Sequence, residues 1–75
     1  MIKTIATVNG MMCSMCEKHA IKAVEDNFDV KSVLASHEQQ MIEIVSEEPI
    51  DEGKLDAAIS AQGYILGDVK AEGIG

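Results

Sequence analysis

The apolar positions of the chain follow two different spacings, and each spacing predicts one type of element. Residues 2–8 alternate between the two faces of an extended chain and are rich in β-branched side chains, which is typical of a strand. From Ser14 to about Asn27 the apolar positions recur every three or four residues, which indicates one face of a helix. Residues 30–36 and 41–46 again favour strands, and the polar residues 37–40 between them are few enough for a hairpin loop.

The second half of the chain predicts one more helix and one more strand. Asp51 is placed to cap a helix whose apolar face carries Leu55 and Ile59, and Gly63 is placed to end it. Residues 64–69 favour the last strand, and residues 71–75 are expected to form a frayed tail.

This βαββαβ order predicts an α+β, ferredoxin-like sandwich. In that arrangement a four-stranded antiparallel sheet carries two helices on one face, and its other face contacts water. We expect one domain over residues 1–70, because 75 residues with 47% hydrophobic side chains allow a single small core.

Composition excludes several classes of partner. Thirteen acidic residues against six lysines give a formal net charge of −7, so no basic surface is available for nucleic acid. The apolar runs are only a few residues long, which argues against membrane insertion, and the first residues lack the pattern of a signal peptide. We therefore expect a cytoplasmic protein.

The two cysteines, Cys13 and Cys16, lie where the first strand leads into the first helix. A disulfide between them would close too small a loop to stabilise the fold. The partial positive charge of the helix N-terminus favours thiolates, and thiolates are soft donors that select Cu(I), Zn(II) and similar metals. Because zinc requires four ligands and two protein thiolates suffice for Cu(I), the ligand count favours Cu(I).

The segment Gly-Met-Met-Cys-Ser-Met-Cys over residues 10–16 resembles the G-M-x-C-x-x-C motif of the heavy-metal-associated domain family. Gln-Gly-Tyr at residues 62–64 is similar to the family's segment before its last strand, and the predicted element order is also that of the family. The resemblance implies transfer of soft metals, most often Cu(I), with Cys13 and Cys16 as the ligands. It also implies that Met11 is a buried core residue under the loop and that Tyr64 lies beside that loop, as a possible auxiliary residue near the metal.

Two further residues are possible auxiliary groups near the metal: Met12, inside the motif, and His19, after it. Zinc- and cadmium-type members of the family often carry an acid just before the first cysteine, whereas this chain has Met12, which favours copper. His19 follows Cys16 by about one helical turn and is a possible auxiliary ligand, although we expect its side chain to face solvent. Where many members have Pro-Gly after the first helix, this chain has Phe-Asp at residues 28–29, a change expected to affect only that loop.

The resemblance leaves the biological setting open. It implies a copper chaperone or an N-terminal domain of a metal-pumping P-type ATPase, and the start at Met1 with a short tail favours the free-standing protein. The expected partner is a P-type ATPase or another Cys-x-x-Cys domain, with a basic docking surface that complements the acidic chain. A metal-bridged homodimer is a further option.

Two other functions use the same cysteines. One is a site for Zn(II), Cd(II) or Hg(II). The other is a thiol–disulfide oxidoreductase with Cys13 as nucleophile and Cys16 as resolving thiol. Against the enzyme, the only proline, Pro49, precedes a helix, and thioredoxin-like folds need a longer chain. We therefore expect a protein that is not an enzyme.

Overall fold

The computed structural model describes residues 1–74 and contains four strands and two helices in the order that the sequence predicts. They are β1 (Ile2–Asn9), α1 (Ser14–Asn27), β2 (Ser32–Ser36), β3 (Met41–Ser46), α2 (Glu52–Ala61) and β4 (Ile65–Gly73). The strands form one antiparallel sheet in the order β2-β3-β1-β4. The prediction of a ferredoxin-like βαββαβ fold is therefore confirmed. Neither helix of residues 1–74 is long and apolar enough to cross a membrane.

One face of the sheet is buried because the two central strands alternate strictly. From Thr4 to Val8 in β1 and throughout β3 every second residue is buried, and the residues between are partly exposed. The two helices cover the buried face, and together the elements form one core cluster: Ala6, Val8, Met11, Ala20, Val24, Ile42, Ile44, Leu55 and Ile59. The apolar side chains recur every 2 residues in the strands and every 3.6 residues in the helices. The two apolar faces that result pack together in a single core.

The two helices begin in different ways. The predicted cap of α2 is confirmed, since the Asp51 carboxylate accepts hydrogen bonds from the N–H groups of Gly53 and Lys54 at 2.9 and 3.4 Å. The corresponding position of α1 is Cys13, whose side chain makes no capping hydrogen bond. The first turn of α1 therefore keeps unpaired N–H groups close to the cysteines.

The last strand is longer than the sequence predicts. β4 continues to Gly73, which pairs with Ile2, and the N–H of Ile74 donates to the carbonyl of Met1 at 2.9 Å. The expectation of a frayed tail over residues 71–75 is thus corrected for residues 71–73, because the first residues of β1 supply a pairing partner. The same expectation for Gly75 falls outside the described residues. β2 is shorter than predicted and begins at Ser32 instead of residue 30.

Met11 and Met12, the two adjacent methionines that follow β1, point in opposite directions. Met11 is 1% exposed and belongs to the core, whereas Met12 is 81% exposed. The chain between β1 and α1 is therefore attached to the core through Met11, and the residues that follow project into solvent.

We expect Met11→Ala to lower the free energy of unfolding by about 2–5 kcal/mol, because it removes a large buried side chain and leaves a cavity. Met12→Ala is the matched control and should change stability by less than about 0.5 kcal/mol. Urea unfolding of the two variants beside the parent measures both values. Equal midpoints for the two variants would contradict the placement of Met11 in the core.

Candidate metal centre

The loop that carries the cysteines depends on a turn that only glycine makes without strain. β1 ends at Asn9, and Gly10 follows with φ +107°, a backbone conformation that other residues rarely adopt. A Cβ atom at Gly10 would lie 3.3 Å from Cδ1 of Tyr64, so the missing side chain also lets the tyrosine ring lie against the loop. The turn redirects the chain across the end of the sheet and into α1.

The two cysteines meet at the surface end of this loop. Both are free thiols, and their Sγ atoms lie 3.8 Å apart. Cys13 is exposed, whereas Cys16, in the first turn of α1, is half-buried and packs against the core. Thiolate bonds to zinc are about 2.3 Å long, so two of them span at most about 4.6 Å between sulfurs. A single ion of similar size can therefore contact both sulfurs.

In the part of the chain that the structure describes, no third protein ligand accompanies the two cysteines. Within residues 1–74 there is no group of three or more His, Cys, Asp or Glu side chains that could hold a metal ion. His19, the predicted auxiliary candidate, is exposed on α1, and Met12 is exposed at the loop. The structure thus offers two sulfurs to a metal from one side and leaves the other side open.

Hydrogen bonds make the thiol of Cys16 more acidic than an ordinary cysteine. The N–H of Met12 and then the hydroxyl of Tyr64 stabilise the thiolate and lower the pKa of Cys16 to about 7, with smaller contributions from Cys13. Partial burial opposes this shift, because desolvation disfavours the charged form. At neutral pH a large fraction of Cys16 is therefore already in the form that binds metal.

Tyr64 lies beside the pair, as the resemblance implied. Its hydroxyl donates to the carbonyl of Cys16 at 3.5 Å, a long hydrogen bond. The hydrogen bond to Cys16, followed by desolvation, raises the pKa of Tyr64 to about 12. The phenol thus stays protonated at physiological pH, with its hydroxyl close to Cys16.

The sequence pattern gave no indication of the hairpin-loop residues that contact the segment around the cysteines, residues 10–17, which we call the metal loop. His37 reaches the residue after Cys16: its N–H and its Nδ1 both lie 2.7 Å from Oε2 of Glu17. These bonds from His37 lower the pKa of Glu17. Gln40 reaches the other side of the loop and bonds to Gly10 and Met11. Neither contact can be predicted from a local sequence pattern, because both join residues at least 20 positions apart.

Comparisons with known proteins agree with this fold. No family model matches the chain. Among solved structures, a CopZ metallochaperone has a TM-score of 0.76 at 23% identity, over 87% of this chain and 98% of its own. The yeast copper transporter domain Ccc2a, solved in apo and Cu(I)-loaded states, has a TM-score of 0.77 at 17% identity, over 88% and 92%. The N-terminal domain of ZntA, solved in its Zn(II) form, has a TM-score of 0.78 at 22% identity, over 89% and 90%.

These likenesses show the fold that the chain shares with metal-handling domains. The chain carries on this fold the Cys-x-x-Cys motif of residues 13–16, which is a property of its sequence and not of the fold. One of these proteins was solved with Cu(I) and another in a Zn(II) form, so the shared fold does not distinguish between the two metals.

We expect Tyr64→Phe to raise the pKa of Cys16, because the variant keeps the ring and removes the hydroxyl donor. Alkylation by iodoacetamide reports the thiolate fraction, so its rate at pH 7 should fall and its pH midpoint should move upward from about 7. The measurement is made with Cys13→Ser present in both proteins, so that only Cys16 reacts. An unchanged midpoint would mean that the hydroxyl does not act on the sulfur.

Proposed function

We propose that the chain is a carrier of a soft metal ion, with Cu(I) as its cargo, bound by Cys13 and Cys16. The observation that carries this proposal is the pair of free sulfurs 3.8 Å apart on an exposed loop, with no third ligand group in residues 1–74. Two soft donors, with no carboxylate in a group that could complete a ligand set, suit Cu(I) better than zinc, which favours four ligands.

The open side of the site is suited to passing the ion on. A thiolate of a partner can add to the bound ion and form a three-coordinate intermediate before any bond to this chain breaks. Cys13, which is the more exposed of the two, then leaves, a second partner thiolate adds, and Cys16 leaves last. The ion keeps its charge and oxidation state throughout, so the chain acts by ligand exchange and is not an enzyme.

The partner in this proposal carries a Cys-x-x-Cys loop of its own. We place it in a P-type metal-transporting ATPase or in another domain of this kind, and the exchange in a reducing compartment such as the cytoplasm, where exposed thiols stay free. A second copy of this chain presents the same two sulfurs, so a metal-bridged homodimer is the simplest complex of this chemistry.

We expect Cys13→Ser and Cys16→Ser each to abolish tight Cu(I) binding while the fold stays intact. Met15→Leu is the matched control, because Met15 is the exposed sulfur residue between them, and it should bind Cu(I) like the parent. Anaerobic titration against a chromogenic Cu(I) chelator measures affinity, and circular dichroism checks the fold. Parent-like binding by both serine variants would overturn the assignment of the site.

The same titration with Zn(II) and a zinc chelator tests the choice of metal. The proposal expects one Cu(I) per chain to be retained and Zn(II) to be removed easily. If Zn(II) were retained and Cu(I) lost, the function would move to zinc or cadmium handling, with ligands recruited from outside the pair.

The net charge of −7 also predicts how the partner is found. We expect the association rate with a basic Cys-x-x-Cys domain to fall as salt is added. Replacing Glu25 and Asp26 by lysine should lower the low-salt rate about tenfold, because it removes long-range attraction. Both residues are exposed in the last turn of α1, about 14 Å along the helix from Cys16.

A charge-neutral exchange, Glu25→Asp with Asp26→Glu, is the control for local effects of these substitutions. Stopped-flow measurement of metal transfer at several salt concentrations gives the rates. A rate that is the same for all three proteins at low salt would exclude steering by net charge.

A further inference from the structure

The turn between β2 and β3, residues 37–40, touches the metal loop on both sides of the cysteines. Gln40 contacts the loop before Cys13, and His37 contacts Glu17 directly after Cys16. Nothing in the chemistry of the thiolates requires these contacts, because neither residue reaches a sulfur. They therefore call for a separate explanation.

The backbone of Gln40 is held in an uncommon conformation. Its φ is +54°, and it is the only residue other than glycine in the described chain, residues 1–74, with a positive φ. Its carbonyl accepts a hydrogen bond from the N–H of Val8 at 2.8 Å, which ties the turn to the end of β1. Asparagine and aspartate are the residues enriched in this conformation, so glutamine is not the choice that the turn alone favours.

The side-chain amide of Gln40 explains why a glutamine stands there. Its Oε1 accepts a hydrogen bond from the N–H of Gly10 at 2.9 Å, and its Nε2 donates to the carbonyls of Met11 and His37. The amide thus pairs a donor and an acceptor of two consecutive loop residues, 29 and 30 positions away along the chain. Glutamate would lack the donor, and lysine would lack the acceptor.

We propose that Gln40 is a positioning residue for the metal loop. By holding Gly10 and Met11 it sets the direction in which the chain leaves the core toward Cys13, while the contact between His37 and Glu17 holds the chain after Cys16. The two sulfurs are then presented as a preformed pair. The consequence for metal affinity rests on the proposed function, whereas the consequence for the loop itself does not.

The decisive variant is Gln40→Asn. It keeps the amide and suits a positive φ at least as well as glutamine, but it is one methylene shorter and cannot make the same bonds to Gly10 and Met11. Gln39→Asn makes the same chemical change at the exposed neighbouring position and is the matched control. Gln40→Glu keeps an acceptor for Gly10 but places a carboxylate oxygen against the carbonyls of Met11 and His37, so it should loosen the loop at least as much as Gln40→Asn.

Two measurements are made on each protein. Hydrogen exchange of the Gly10 amide in the metal-free protein reports whether the loop is held, with the amide of Ile44 in β3 as the reference for the whole fold. Competition for Cu(I) against the chelator reports whether the sulfurs remain preformed. We expect Gln40→Asn to speed exchange at Gly10 about tenfold, the effect of losing one hydrogen bond, and to leave Ile44 and the melting temperature unchanged. We also expect several-fold weaker Cu(I) binding.

Each outcome decides a separate statement. Unchanged exchange at Gly10 in Gln40→Asn would overturn the claim that Gln40 holds the loop, whatever the metal result. Faster exchange with parent-like Cu(I) affinity would overturn its role in presenting the sulfurs. Failure of the parent itself to retain Cu(I) would overturn the proposed function, while the exchange data would still decide whether Gln40 positions the loop.

Discussion

The exposed cysteine loop depends on Met11, which precedes the cysteines along the chain and is buried in the core. The carrier that we propose must present its donors to a partner, yet a loop that is only exposed would adopt many conformations. In this chain Gly10 turns the backbone, Met11 enters the core, and the next residue is already 81% exposed. The change from inside to outside takes place within one peptide unit. The position of the sulfurs is therefore set by the same packing that stabilises the domain.

Charged groups influence this protein both at long range, through its net charge, and close to the sulfurs. Much of the acidic excess lies far from the loop: Glu47 and Glu48 follow β3 at the end of the sheet where β1 begins, and Glu25 and Asp26 lie in the last turn of α1. Near the sulfurs, N–H and O–H donors dominate, and the one carboxylate beside Cys16, that of Glu17, is bonded to His37. The whole molecule can thus attract a basic surface from a distance, while the immediate surroundings of the site favour thiolate.

Local patterns were sufficient to predict most of the fold. The alternation in β1 and β3, the apolar face of α1 and the cap at Asp51 are properties of short segments, and the structure shows them as predicted. The cysteine pair is also local, since its residues are three positions apart. These local preferences are kept in the folded chain because the tertiary packing favours the same conformations.

Contacts between distant residues were not predictable in the same way. The extension of β4 to Gly73 depends on pairing with the first residues of β1, and residues 70–73 show no apolar alternation of their own. Gln40 and His37 belong to a polar run that is typical of an ordinary hairpin loop. Their contacts with the metal loop exist only because the sheet places the β2–β3 turn beside the end of β1.

The pairing of Ile2 with Gly73 has a mechanical consequence for how this domain can be attached to anything else. Met1 and Ile74 are hydrogen-bonded neighbours, and β1 separates them from Gly10 by about 25 Å of extended chain. A tether at either end, such as a surface anchor or a linker to an adjoining domain, would leave the molecule at the pole opposite the sulfurs. Pulling on both ends together would load the pairing between β1 and β4 at that pole and leave the domain as a whole free to turn its cysteine loop toward a second molecule.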